Sequence, residues 1–225
     1  MSKLRIAFFG TPDFAVATLK KLVEEDMNVV AVFTAPDKPS GRGKKINISD
    51  VKKYALEAEL PIYQPERLKN PQFVEEYKSL NIDIAIVVAF RMMPELIWGA
   101  AKIGTFNLHG SLLPQYQGAA PINWALINGE KETGVTTFFI NSEIDKGEIL
   151  FQSKCDIELE DNFGTLYGKL KDIGADLVIK TVQEIEKGNI QSRKQEFSTS
   201  DKPAPKITKE LLEINDFNSC ISIDN

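Results

Sequence analysis

The chain has 225 residues, enough for one full domain with a substantial core, and its formal net charge of −5 argues against a uniformly basic nucleic-acid binder while leaving room for a local basic patch. Apolar residues make up 43% and charged residues 26%, without an excess of Gly, Pro or Cys, and no apolar run approaches the roughly 20 residues that a membrane helix needs. Two cysteines far apart, Cys155 and Cys220, imply neither a disulfide framework nor a metal site and fit a reduced, cytoplasmic protein.

The opening MSKLRIAFFGTPDF turns polar too early for a secretory signal. Within it LRIAFF (4–9) is a nearly continuous apolar run ending at Gly10, the pattern of a buried parallel strand. Val16, Leu19, Leu22 and Val23 then recur at helical spacing, and VVAVFT (29–34) makes a second strand. After a long polar loop, Ser49 caps a predicted helix running to about Ala58, followed by a short strand at 61–63. Asn70 and Pro71 start a helix that reaches about Leu80. IDIAIVVAF (82–90) is the most strand-like segment, and GTFNL (104–108) is another.

Helical signals over 121–128, strands at 135–140 and 148–154, and a long helix from about Thr165 complete the body. Leu166, Leu170, Ile173 and Leu177 form that last helix's buried stripe. Alternating strands and helices predict an α/β domain, doubly wound, with a mostly parallel sheet flanked by helices. Such sheets bind ligands beyond the carboxyl ends of their strands, where the strand order reverses. From Phe197 onward Ser, Thr, Lys and Pro dominate, so the expected division is a catalytic domain at 1–196 and a linker with tail at 197–225.

Asn107 and His109, the latter the only histidine, share a face of an extended strand at its carboxyl end. Asp145, in SEIDKGE between two later strands, is the third candidate. An imidazole supported by a carboxylate, beside an amide donor, suits acyl chemistry. Asn107 and a protonated His109 would steady a tetrahedral oxyanion, with Asp145 supporting the ring or relaying a proton. The same residues also admit a plainer role. A lone strand histidine is commonly a hydrogen-bonded structural residue, and Asn and Asp are frequent at strand ends and turns.

NLHGSLLPQYQGAAPINWAL (107–126), followed by GVTTFFINSEIDKGEIL (134–150), closely resembles the signature of formyltransferases that use 10-formyltetrahydrofolate. That resemblance implies a Rossmann-like fold and a catalytic trio of Asn107, His109 and Asp145. It implies folate binding by Ser111, Leu112, Leu113 and Pro114, and a pterin site near VVAFRMMP (87–94), involving Val88, Phe90, Arg91 and Met92. The folate is then a cosubstrate, and no metal is required.

Within the family, FFGTPDFAVATLKKL (8–22) and FTAPDKPSGRGKK (33–45) resemble the branch that formylates methionyl initiator tRNA. There the second stretch is a loop reaching the acceptor end of the tRNA. Lys38, Arg42, Lys44 and Lys45 stand in it against Asp37 alone, and clustered cations attract phosphates. The implied partners are initiator methionyl-tRNA and the folate, with no membrane, for a chain acting as a monomer. In that branch the linker leads into a smaller β-barrel. Here the match ends at about Ile214, so the barrel is expected to be absent and the grip on tRNA weakened. Two other readings share the signature: an N-formyltransferase acting on a sugar nucleotide or other small amine, and a folate- or RNA-binding remnant without turnover.

Overall fold

The computed structural model describes residues 3–40 and 45–209. In chain order the elements are β1 (Ile6–Gly10), α1 (Asp13–Glu24), β2 (Val29–Phe33), the hairpin arms β3 (Lys38–Ser40) and β4 (Lys45–Asn47), α2 (Asp50–Glu57), β5 (Ile62–Tyr63) and α3 (Pro71–Ser79). Then follow β6 (Ile84–Val88), α4 (Glu95–Trp98), β7 (Gly104–His109), β8 (Gln117–Gly118), α5 (Pro121–Ile127), β9 (Glu132–Phe139), β10 (Ile149–Asp156), α6 (Phe163–Glu186) and β11 (Pro203–Ala204).

The main sheet runs β10-β9-β7-β6-β1-β2-β5. From β7 to β5 every pairing is parallel, whereas β9 is antiparallel to both of its neighbours. The order reverses at β1, where β2 lies on one side and β6 on the other. The doubly wound, mostly parallel arrangement expected from the alternation of elements is therefore the one observed.

Local chemistry explains the helix starts. The side chain of Ser49 accepts from the Lys52 amide at 3.0 Å, and that of Asn70 from the Gln72 amide at 3.0 Å, so both predicted caps are in place. The long helix begins slightly earlier than its apolar stripe suggested. Asn162 accepts from Gly164 and Thr165 amides while Thr165 Oγ1 accepts from the Asn162 amide, a reciprocal cap that pulls the start back to Phe163. Strand β9 also starts early, at Glu132, because its first residues pair with the end of β10, Glu132 opposite Asp156.

Strand alternation divides the core in two. Ile6, Phe8, Val88 and Leu108 pack with α1, α2 and α6, while Ala7, Phe9, Ala85 and Val87 pack with α3 and α4. On the second face Phe9 stacks on Phe33 at 4.4 Å between ring centres, with Tyr77 edge-on to both. On the first face Leu166, Leu170 and Leu177 of α6 are buried, with Ile173 partly so. Leu170→Ala should cost about 2–5 kcal/mol, read as a lower urea midpoint at unchanged slope, because Leu170 is fully buried and the cavity cannot close completely. No helix among the described residues is long and apolar enough to cross a membrane.

Candidate active site

Register aligns Gly10, Val88 and Leu108 in one row at the carboxyl ends of β1, β6 and β7. A cavity of about 1090 Å³ opens beyond this row, at the reversal in strand order where an open α/β sheet places its ligands. Asn107 and His109 both line it. They share the face of β7 that continues from Phe9 and Val87, and Val87 is directly paired with Asn107.

Asp145 arrives from the connection between β9 and β10. β9 runs back antiparallel along β7, so Phe139 ends opposite Phe106 and the Ile140 amide still donates to the Thr105 carbonyl; the turn after it doubles back along β7 to bring Asp145 beside His109. Asp145 sits there with φ 55°, a left-handed conformation that Asp tolerates better than most residues. Its Oδ2 accepts from the Gly118 amide at 3.0 Å and lies 4.0 Å from His109 Nδ1. His109 is 6% exposed, and its Nε2 is 2.8 Å from the Tyr116 carbonyl oxygen. A carbonyl only accepts, so Nε2 carries a proton and Nδ1 is the ring nitrogen on the carboxylate side.

The Asp145 turn is fixed by residues that its sequence neighbourhood does not reveal. Gln195 Nε2 donates to the carbonyls of Asp145 at 2.8 Å and Gly147 at 2.9 Å, and Gln117 Nε2 donates to the Asp145 carbonyl at 3.0 Å. Neither glutamine carried a signal in the sequence, since a buried side chain bridging two distant loops follows no local spacing.

Of the residues assigned to the pterin region, Phe90, Arg91 and Met92 line the cavity. Arg91 is tied to the 65–66 turn by hydrogen bonds to the Pro65 and Glu66 carbonyls, and its guanidinium lies 5.7 Å from the Phe90 ring centre. Val88 does not line it. Strand alternation sends its side chain to the opposite core from Val87.

Ser111, Leu112, Leu113 and Pro114 are likewise not brought into the cavity wall. Ser111 is buried, and its Oγ donates to the Gln115 carbonyl at 2.6 Å. Thr136 Oγ1 donates to the Ser111 carbonyl at 2.7 Å and accepts from the Leu113 amide at 3.1 Å. Leu113 packs on Phe138 and Ile149. These four residues brace the loop leaving β7 from behind.

The opposite end of the cavity is aromatic and was not foreseen. Pro12, Phe14, Phe163 and Tyr167 form it, with Tyr167 edge-on to Phe14 at 5.2 Å. The Tyr167 hydroxyl donates to Asp13, and burial together with that carboxylate pushes the phenol well above its ordinary pKa, keeping it a neutral donor.

In the basic loop, Lys38 is exposed on β3, Arg42 and Lys44 lie outside the described residues, and so does the side chain of Lys45. Asp37 at the base of the loop accepts from Gln64 and Lys52, which hold its carboxyl below the usual range. The loop's one acid is thus already neutralised by a lysine outside it.

Comparison with known proteins addresses the family of the chain. The profile of the formyl transferase family matches residues 4–182. A methionyl-tRNA formyltransferase of Bacteroides fragilis is 53% identical over 215 residues, covering 94% of this chain and 66% of the relative. One from Flavobacterium johnsoniae is 49% identical over 225 residues, covering 100% of this chain and 71% of the relative. The chain therefore spans about two thirds of the length of the curated relatives it matches. Among solved structures, a Bacillus halodurans phosphoribosylglycinamide formyltransferase superposes with TM-score 0.67 at 24% identity, over 80% of this chain and 94% of that one. An N-formyltransferase of Helicobacter canadensis, described in complex with folinic acid and dTDP-3-aminofucose, gives TM-score 0.70 at 22% identity, over 98% and 78%. At those identities the two structures share the fold with this chain. The family profile and the close relatives carry the assignment further, and the chain belongs to the formyl transferase family.

Proposed function

We propose that the chain transfers a formyl group from 10-formyltetrahydrofolate to the α-amine of methionine on initiator tRNA, as part of cytoplasmic translation initiation. The observation that carries this reading is the convergence of Asn107, His109 and Asp145 on one cavity, in a chain about half identical to methionyl-tRNA formyltransferases.

The cavity suits a flat donor and a second substrate together. Its volume of about 1090 Å³ stands at the upper edge of the range usual for ligand pockets. Val87, Phe90, Met93 and Trp98 offer apolar walls, and Ala89–Met92 lie past the last paired residue of β6, so their backbone groups are not used by the sheet.

In the reaction the neutral amine attacks the formyl carbon. The new C–N bond turns the formyl carbonyl into a tetrahedral oxyanion, which then collapses by breaking the carbon's bond to N10, while one proton passes from the amine to N10. Asn107 donates to the oxygen that becomes an oxyanion. His109, held through Nε2, presents Nδ1 for the proton, and Asp145 balances the positive charge that develops on the ring. This differs from a paired Asn107–His109 oxyanion clamp, because a neutral ring that carries its proton on Nε2, toward the Tyr116 carbonyl, has no N–H to offer at Nδ1. The basic loop from Lys38 to Lys45 would meet tRNA phosphates.

The test offers labelled formyl donor with methionyl initiator tRNA or with a nucleotide-linked amino sugar, at low salt. Label should appear on the tRNA, and replacing Lys38, Arg42, Lys44 and Lys45 with Ala should raise the KM for tRNA while leaving that for the donor unchanged. Label on the sugar instead, with indifference to the loop, would contradict this acceptor.

A further inference from the structure

We propose that β11 and its flanking residues, Asp201–Pro205, act as a positioning element for the catalytic groups, although none of them lines the cavity. The inference rests on the assignment of His109 and Asp145 given above. The loop 115–120 lies between this segment and the chemistry, and its residues make bonds in both directions.

Toward the reaction, the Tyr116 carbonyl accepts from His109 Nε2 at 2.8 Å and the Gly118 amide donates to Asp145 Oδ2 at 3.0 Å. Toward the tail, the Tyr116 amide donates to the Lys202 carbonyl at 2.7 Å and the Ala120 amide to the Ala204 carbonyl at 3.2 Å. Between them Gln117 and Gly118 pair in parallel with Pro203 and Ala204.

Side chains fasten the same seam. Gln115 donates to Asp201 at 2.9 Å and accepts from the Lys202 amide at 3.0 Å. Lys202 pairs with Glu130 at 2.6 Å, and Glu130 also accepts from the Tyr116 hydroxyl. Trp124 Nε1 donates to the Pro205 carbonyl at 2.8 Å.

The contact is close as well as bonded. Ala204 is fully buried against Tyr116 and Ala125. Gly118 has φ 128°, and a Cβ there would stand 2.4 Å from the Ala204 carbonyl oxygen. A residue such as Tyr116, which is itself left-handed at φ 59°, holds its position only while its surroundings over-determine it. The tail supplies part of those surroundings, through the Lys202 carbonyl and Ala204. Moving β11 therefore moves the acceptor of His109 and the donor of Asp145 together.

The test is Ala204→Leu in the full chain, with Ala204→Gly as the conservative variant and Glu196→Ala, an exposed residue just ahead of the tail, as control. Because His109 is the only histidine, its imidazole ¹⁵N spectrum reports the site without any substrate. Ala204→Leu should remain folded, lose about tenfold to a hundredfold in kcat with the donor KM nearly unchanged, and shift the imidazole signals away from the Nε2–H tautomer. Ala204→Gly and Glu196→Ala should stay close to the parent.

A folded Ala204→Leu protein with parental kcat and imidazole spectrum would overturn the proposal, as would a loss of kcat equal to its unfolded fraction. If that variant does not fold, the double change Gln115→Ala with Lys202→Ala loosens the same seam. A parental kcat and imidazole spectrum there would also overturn the proposal. Full activity in His109→Ala would instead sink the catalytic assignment, and the imidazole spectrum would still decide whether β11 positions the ring.

Discussion

Asn107→Ala and Asp145→Ala should each slow formyl transfer a hundred- to a thousandfold, equivalent to about 2.7–4 kcal/mol of lost transition-state stabilisation. Asn107 faces the cavity rather than either core, so its truncation removes a donor without opening a packed layer. For Asp145 the loss has two parts. The charge beside His109 Nδ1 disappears, and the Gly118 amide loses its acceptor. Both should lower kcat while the thermal midpoint stays near that of the parent. The double variant should fall little below the worse single one, since groups acting on one transition state are not additive. Turnover within a fewfold of the parent in either single variant would remove that residue from the mechanism.

Gly147→Ala should be comparably damaging for a different reason. A Cβ at Gly147 would lie 1.6 Å from the Phe139 carbonyl oxygen, an overlap that backbone must relieve by moving. The turn that moves is the one carrying Asp145, and it also carries the Gly147 carbonyl that Gln195 binds. A displacement of about 1 Å at a catalytic group can cost a hundredfold, so kcat should drop by about that factor and the thermal midpoint should fall too. Gly129→Ala is the informative contrast. Its φ of 63° carries strain but nothing lies within 4 Å, so it should cost about 1–2 kcal/mol of stability and leave kcat unchanged. Equal effects of the two substitutions on kcat would mean that the turn at 145–147 does not set the geometry of the site.

Much of the fold was legible in the sequence because local and global signals agree. Short apolar runs became β1, β2, β6 and β7, and Ser49 and Asn70 cap the helices they were expected to cap. The direction of β9 was not legible, since an apolar run such as VTTFFI suits either orientation in a buried sheet. The small pairing of β8 with β11 was equally hidden. Two-residue strands carry no periodicity, and their partners lie at distant points of the chain.

At the site, spacing put Asn107 and His109 on one face, the place of Asp145 between two later strands made it the third candidate, and the resemblance joined the three as one set. Strand alternation overrules a role for the Val88 side chain in the cavity. For Ser111–Pro114 the structure adds local contacts that the motif alone did not reveal: Thr136 bonds the Ser111 carbonyl and the Leu113 amide. The contributions of Gln117 and Gln195 belong to tertiary structure only.

The most direct measurement is a single-turnover transfer of labelled formyl from 10-formyltetrahydrofolate to methionyl initiator tRNA, run side by side with the parent chain and His109→Ala at high enzyme concentration. The account predicts transfer by the parent and a loss of at least about a hundredfold in the variant, with donor binding retained. Equal transfer by both proteins would contradict it.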